Sequence, residues 1–214
     1  MIPDPVQEAA FLQALPVLHY EKRGSLLTVI VRGTRAELEQ KLGSGTGKAI
    51  RGICISGHAV SLLPVDAAGT PLRRAMIWMD SRSDSELTWL LEQIGRERFC
   101  SIVGAQPSPS FLPGKLLWFR KNEPELMNKT ACLLQANSFI TSRLTGRFTI
   151  DLDQAAKSQC LDVSHGQWSR EIGEAIGVEL DQLLPPPQSP QTIAGTVTRQ
   201  AAEQTGLAEG TPVL

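Results

Sequence analysis

Apolar positions from Ile50 onward fall into short runs and helical stripes separated by Gly, Pro and Asp turns. Ile50 to Ser56 is a short apolar run of the kind that suits a buried strand. Leu62 to Val65 is a second run, and Asp66-Ala67-Ala68-Gly69 is turn chemistry leading to a third at Arg74 to Met79. Three short strands joined by two turns predict an antiparallel meander. The pattern then turns helical over Ser83 to Gly95, Pro113 to Lys121, Glu123 to Asn128, and Asn137 to Leu144, with Gly146 as the stop. A further helix is expected over Asp153 to Gln159, where Asp153 is a good N-cap, and another over Trp168 to Ile176. Pro185-Pro186-Pro187 reads as a rigid surface connection. Ile193 to Val197 reads as a strand, and Thr198 to Thr205 as a capped helix ending at Gly206. The expected architecture is one α/β domain with a mixed sheet flanked by helices.

The opening of the chain is less sharply patterned. Gln7 to Leu15 suits a short helix, and Leu26 to Val31 is β-branched enough for a strand. Thr34 with Glu37 three residues later is a capping box, so a helix through about Leu42 is expected, ended by Gly43 to Gly47.

Composition narrows the class. The 214 residues are 42% apolar and 20% charged, ordinary for a globular chain. A formal net charge of −1 provides no global field toward nucleic acid or an anionic membrane, and no Lys/Arg-rich run with interleaved aromatics occurs. No apolar stretch approaches the roughly 20 residues that span a bilayer. Met1-Ile2-Pro3-Asp4-Pro5 lacks the regions of a signal peptide, so a soluble cytoplasmic protein is expected. Cys54, Cys100, Cys132 and Cys160 form no CxxC pair, and contexts such as Ile53-Cys54-Ile55 read as buried free thiols.

Isolated motifs carry little. Gly43-Ser44-Gly45-Thr46-Gly47-Lys48 resembles a nucleotide P-loop, but Leu42 occupies the first glycine position and Ala49 that of the magnesium-binding hydroxyl. Asp151-Leu152-Asp153 has the form of a metal-binding DxD, a three-residue pattern that also arises by chance. His58 and His165 stand beside no nucleophile-and-acid set, and Ser56-Gly57 is no nucleophile elbow.

The ordered series is more telling. Ile50-Arg51-Gly52-Ile53-Cys54-Ile55-Ser56-Gly57-His58, Asp66-Ala67-Ala68-Gly69-Thr70-Pro71-Leu72 and Ala75-Met76-Ile77-Trp78-Met79-Asp80-Ser81-Arg82 resemble three consecutive signatures of FGGY carbohydrate kinases. The likeness continues through Lys115-Leu116-Leu117-Trp118, Asn122-Glu123-Pro124-Glu125, Ser142-Arg143-Leu144-Thr145-Gly146 and Asp151-x-Asp153-x-Ala155. It closes on Ala194-Gly195-Thr196-Val197 and Thr205-Gly206-Leu207-Ala208-Glu209-Gly210-Thr211-Pro212-Val213.

That resemblance implies an actin-like, ribonuclease-H-type α/β domain over residues 50–214 that binds a sugar or polyol. It implies ATP and Mg2+ as cofactors, held by a second domain that is expected to be absent. Residues 1–49 would be a poorly specified segment without the family's Asp-x-Gly-Thr phosphate hairpin, and the resemblance places a helix near Leu26 to Val31; the expectation there follows the helix. Asp151 matches the family's catalytic base, a carboxylate that takes the proton of a sugar hydroxyl as the phosphoryl group moves. Trp78 falls where an indole packs on the apolar face of the substrate. His58, Ala59, Val60, Ser110 and Leu152 occupy further substrate-contacting positions, although Ala59, Val60 and Leu152 offer no side-chain hydrogen bond. Asp80 and Arg82 could form an ion pair shaping the cleft.

Three roles are open on this reading. The chain is the sugar-binding half of an ATP-dependent kinase, inactive alone, with Asp151 and Trp78 facing one cleft. Alternatively it is a pseudokinase-like remnant that binds a sugar or a protein partner without catalysis. As a third case, it is a fold remnant whose uncovered apolar surface drives homodimerisation.

Overall fold

A computed structural model describes residues 19–23, 26–30, 46–57 and 60–214. The helices expected over Gln7 to Leu15 and Thr34 to Leu42 lie outside the described residues. The chain divides into two compact units, Met1–Ile53 with Thr196–Val213, and Cys54–Gly195 with Leu214.

In the first unit, β1 (His19–Arg23) and β2 (Leu26–Ile30) form an antiparallel hairpin with His19 opposite Ile30. The helix expected near Leu26 is thus a strand: the β-branched run Thr28-Val29-Ile30 keeps its local preference. Thr46–Ala49 forms a single 3₁₀ turn. Ile53 bridges Val213 in parallel, its amide donating to the Pro212 carbonyl at 2.9 Å. The run Ile50 to Ser56 is therefore one parallel bridge rather than the first strand of an antiparallel meander, because its partner comes from the far end of the chain.

In the second unit, β3 (Leu63–Val65) pairs antiparallel with β4 (Cys132–Leu134), Leu63 facing Leu134. Leu62 and Leu133 enter the larger core cluster, while Leu63, Val65, Cys132 and Leu134 form a smaller one on the opposite face. Burial on both faces explains why these strands read as unbroken apolar runs instead of alternating patterns. The turn after β3 forms as expected, with Asp66 Oδ1 accepting from the Ala68 and Thr70 amides. The expected third strand contracts to Met76, which exchanges both backbone bonds with Leu62. Beyond it the chain turns away, the Asp80 amide donating to the Ile77 carbonyl, and Ile77, Trp78 and Met79 stay exposed.

Helices α1 (Asp84–Ile94), α2 (Arg96–Val103), α3 (Leu112–Asn122), α4 (Pro124–Lys129), α5 (Ala136–Thr145), α6 (Leu152–Lys157), α7 (Arg170–Ile176) and α8 (Leu180–Leu183) supply most of the larger core. Leu87 and Leu90 of α1 are buried, as are Leu112, Leu116, Leu117 and Phe119 of α3, which packs against α1. Helix α2 was not expected because of its charged start, yet Phe99, Ile102 and Val103 give it a buried i, i+3, i+4 stripe.

β5 (Ile150–Asp151) runs parallel to β8 (Pro187–Gln188), and β6 (Leu161–Asp162) antiparallel to β7 (Gln167–Trp168), so parallel and antiparallel pairings coexist. Trp168 belongs to β7, not to the following helix, which Ser169 caps. Its indole N–H donates to the Pro185 carbonyl at 3.0 Å, and Pro185 is buried, so the proline run is anchored at its start rather than riding the surface. Cys132 and Cys160 are buried, but Cys54 is exposed and Cys100 half-buried. After β9 (Gly195–Thr196), α9 (Arg199–Thr205) is capped by Thr198 and ended by a left-handed Gly206, followed by β10 (Pro212–Val213).

Candidate functional site

A cavity of about 220 Å³ opens in the second unit between the Cys54–Ser56 segment, the start of α5, and the β5–α6 junction. Gly57 permits the close approach, since a Cβ there would stand 3.1 Å from the Asn137 amide nitrogen. The walls include Ser56, Asn137, Ser138, Asp151, Gln154 and Gln188. Asn137 Oδ1, Ser138 Oγ and Gln154 Oε1 are buried and without a hydrogen-bond partner. Leaving such a group unpaired costs about 1–3 kcal/mol. Drug-sized pockets run to roughly 300–1,000 Å³, and this one is smaller.

Asp151 sits at that wall as the N-cap of α6, its Oδ1 accepting from the Gln154 amide at 2.8 Å. Asp151 therefore takes the capping place expected of Asp153, which instead pairs with Lys157 at 2.6 Å on the exposed helix face. The cap fixes the carboxylate and leaves Oδ2 free of that bond. These two carboxylates do not make a magnesium site: one is tied to Lys157, and among the described residues no three His, Cys, Asp or Glu side chains gather as ligands.

A second cluster surrounds Lys115. Its side chain is fully buried in α3, and Nζ donates to the carbonyls of Ile77 at 2.7 Å, Ser110 at 2.5 Å and Val60 at 3.5 Å. Burial pushes the ammonium down to about 8, partly offset by the Asp80 carboxylate. Burial alone would push Asp80 up, but its hydrogen bonds and attraction to Arg82, with Lys115 behind them, hold it below the usual range. Asp80 and Arg82 form the ion pair suggested by their spacing, at 2.8 Å, and the Arg82 guanidinium lies 4.9 Å over the Trp118 ring. Val60 has φ 64°, a left-handed conformation rare for a β-branched residue. Its amide donates to Gln135 Oε1 at 3.1 Å, and Gln135 Nε2 donates on to the Gln154 carbonyl.

The sequence-derived positions divide accordingly. Asp151 lines the cavity; Leu152 follows it, 37% exposed and outside the lining. Val60 and Ser110 meet at Lys115, as does Ile77, the neighbour of Trp78. Trp78 is 47% exposed and does not line the cavity with Asp151. His58 and Ala59 lie outside the described residues. Sequence reasoning passed over Asn137, Ser138, Gln154 and the cluster role of Lys115. One signal was available for the last: Lys115 stands three residues after Leu112 and four before Phe119, on a buried helical stripe.

Residues 21–214 match the FGGY family of carbohydrate kinases, N-terminal domain. The chain belongs to the FGGY family. This FGGY chain is 31% identical to the xylulose kinase of Bacillus subtilis over 166 residues, 78% of this chain and 33% of that protein. It is likewise 31% identical to the L-fuculokinase of Escherichia coli, over 77% of this chain and 35% of the relative. It thus spans about a third of the length of the curated relatives it matches. The solved xylulose kinase of Rhodospirillum rubrum superimposes on 84% of this chain and 36% of its own, with TM-score 0.77 and 26% identity. The gluconate kinase of Lactobacillus acidophilus, at 18% identity and TM-score 0.74, shares the fold over 94% of this chain and 41% of its own. The FGGY fold here is the actin-like α/β fold of the sugar kinases. No helix among the described residues is long and apolar enough to cross a membrane.

Proposed function

We propose that this FGGY chain is the sugar-binding half of an ATP-dependent carbohydrate kinase and does not phosphorylate sugar by itself. The observation that carries the reading is the cavity lined by Asp151 together with the polar residues Ser56, Asn137, Ser138, Gln154 and Gln188. A polyol suits such a lining because each of its hydroxyls both donates and accepts. Asp151 Oδ2 accepts a further hydroxyl. In the base role implied for Asp151, the proton of the reacting hydroxyl would go to Oδ2, since Oδ1 holds the cap of α6. ATP and Mg2+ would come from residues other than the cavity's.

The test is calorimetric titration of the 214-residue chain with D-xylulose, L-fuculose, glycerol and gluconate, alongside an assay for ATP consumption. Binding of one sugar, weakened about tenfold or more by Asn137→Ala, is expected, with no ATP turnover. Saturable binding untouched by Asn137→Ala and Asp151→Asn would move the site away from this cavity. Absence of binding to any polyol would sink the reading.

A further inference from the structure

Three segments far apart in sequence end on one side chain. The carbonyls of Val60, Ile77 and Ser110 all point at Lys115 Nζ, which has no solvent exposure. A buried ammonium is expensive to hold in an apolar core unless its donors are used, and here three carbonyls take them. The arrangement is poor as mere packing, because a methionine would fill the same space without desolvating a charge. It makes sense as a clamp: none of the three segments is a regular helix or strand at the point of contact, and Lys115 adds the Ser110 segment to the two that already meet in the Leu62–Met76 bridge. Val60 in particular holds its left-handed backbone between Lys115 on its carbonyl and Gln135 on its amide. Gln135 then donates to the Gln154 carbonyl, and the Gln154 amide donates to Oδ1 of the capping Asp151 at the cavity.

We infer that Lys115 is a positioning residue for sugar binding, its ammonium fixing the segments that carry Val60, Trp78 and Ser110 and, through Gln135, bracing the Asp151 wall. The role rests on the sugar-binding reading above. Asp80 acts on the ammonium from the 77–82 turn and is itself paired with Arg82. Of the other acids on or beside elements packed against α3, Glu86 pairs with Lys121, Glu123 with Arg73, Glu171 with Arg98 and Glu174 with Arg170, while Asp84, Glu92 and Glu125 are exposed to solvent. Loss of the proton removes one of the three donated bonds and the charge that orients the carbonyls. Sugar affinity should then fall as the pH rises through about 8.

The experiment is titration of the full chain from pH 6.5 to 9.5 with whichever of the four sugars binds, for the natural protein, Lys115→Met and Gln135→Ala. Hydrogen exchange at residues 60–62, 77–80 and 110–112 is followed in parallel. The natural chain is expected to lose about tenfold or more in affinity across this range. Lys115→Met should bind weakly at every pH, with faster exchange in all three segments together. Affinity that ignores pH and the Lys115→Met change overturns this role alone; if that variant does not fold, the pH profile of the natural chain decides the matter. A chain that binds no sugar at any pH overturns the sugar-site reading, and this role falls with it.

Discussion

The Val60 amide donates to Gln135 Oε1 at 3.1 Å, and the Ala136 amide donates to Ser61 Oγ at 2.9 Å. The two side chains continue the β3–β4 pairing past the point where its backbone ladder stops. In the register that sets Leu63 opposite Leu134, Ser61 stands opposite Ala136, so the hydroxyl substitutes for the next backbone carbonyl.

Gln135→Ala strips the Val60 amide of its partner in a buried setting. A loss of about 1–3 kcal/mol is expected, read as a lower urea midpoint with an unchanged slope. A midpoint within error of the natural chain would show that Val60 is held by its surroundings without the amide bond.

Capping and ligand binding at Asp151 are separable. Asparagine also caps helices, so Asp151→Asn should leave stability nearly intact, whereas Asp151→Ala should lower it by about 1 kcal/mol. Both should weaken sugar binding in calorimetry. Equal stability of the two variants would mean that the Gln154 contact contributes nothing to α6.

The linkage at Lys115 has a definite sign. Its folded value, about 8, lies below the ordinary 10.5, so between these limits the unfolded chain carries the extra proton. Stability should therefore rise with pH across that window relative to Lys115→Met, measured by urea unfolding at fixed ionic strength. Sugar affinity should move the opposite way. A falling stability difference would mean that the three carbonyls favour the ammonium more than burial opposes it.

The thiols should react in order of exposure. Burial pushes Cys132 up to about 12 and Cys160 higher still, while Cys54 is exposed. Native alkylation followed by mass spectrometry should modify Cys54 first, Cys100 more slowly, and the buried pair only in denaturant.

Gly177 has φ 81°, and a Cβ there would stand 2.9 Å from the Arg120 guanidinium, whose Nη1 donates to the Ile176 carbonyl. Gly177→Ala should lower stability by upwards of about 1 kcal/mol through backbone strain and displacement of that bond, read as a lower thermal midpoint. Pairing it with Arg120→Ala should recover only the steric part.

Much of the helical framework was legible because its signals are local. Gly146 and Gly206 ended α5 and α9 where their left-handed conformations allow it, and Thr198 capped α9. The family was legible because several weak strings recur in fixed order. What escaped was non-local. Ile53 pairs with Val213 across most of the chain, and Trp168 reaches Pro185 through a side-chain bond, neither of which periodicity encodes. Asn137 and Ser138 read as ordinary first-turn helix residues. Only the close approach at Gly57 and the position of Gln154 turn them into a cavity wall. Near Leu26 the error ran the other way, where the family's expected helix outweighed a local β preference that the chain follows.

The bond from the Trp168 indole to Pro185 pins together two points of the chain with α7 and α8 between them. The excursion is thereby closed on itself, and β8 takes its place beside β5 from a fixed starting point. Leu180 and Leu184 within the excursion are core residues, so its own packing reinforces the tie. The strand beside Asp151 is thus fixed from behind as well as by its own pairing, Asp151 standing opposite Gln188.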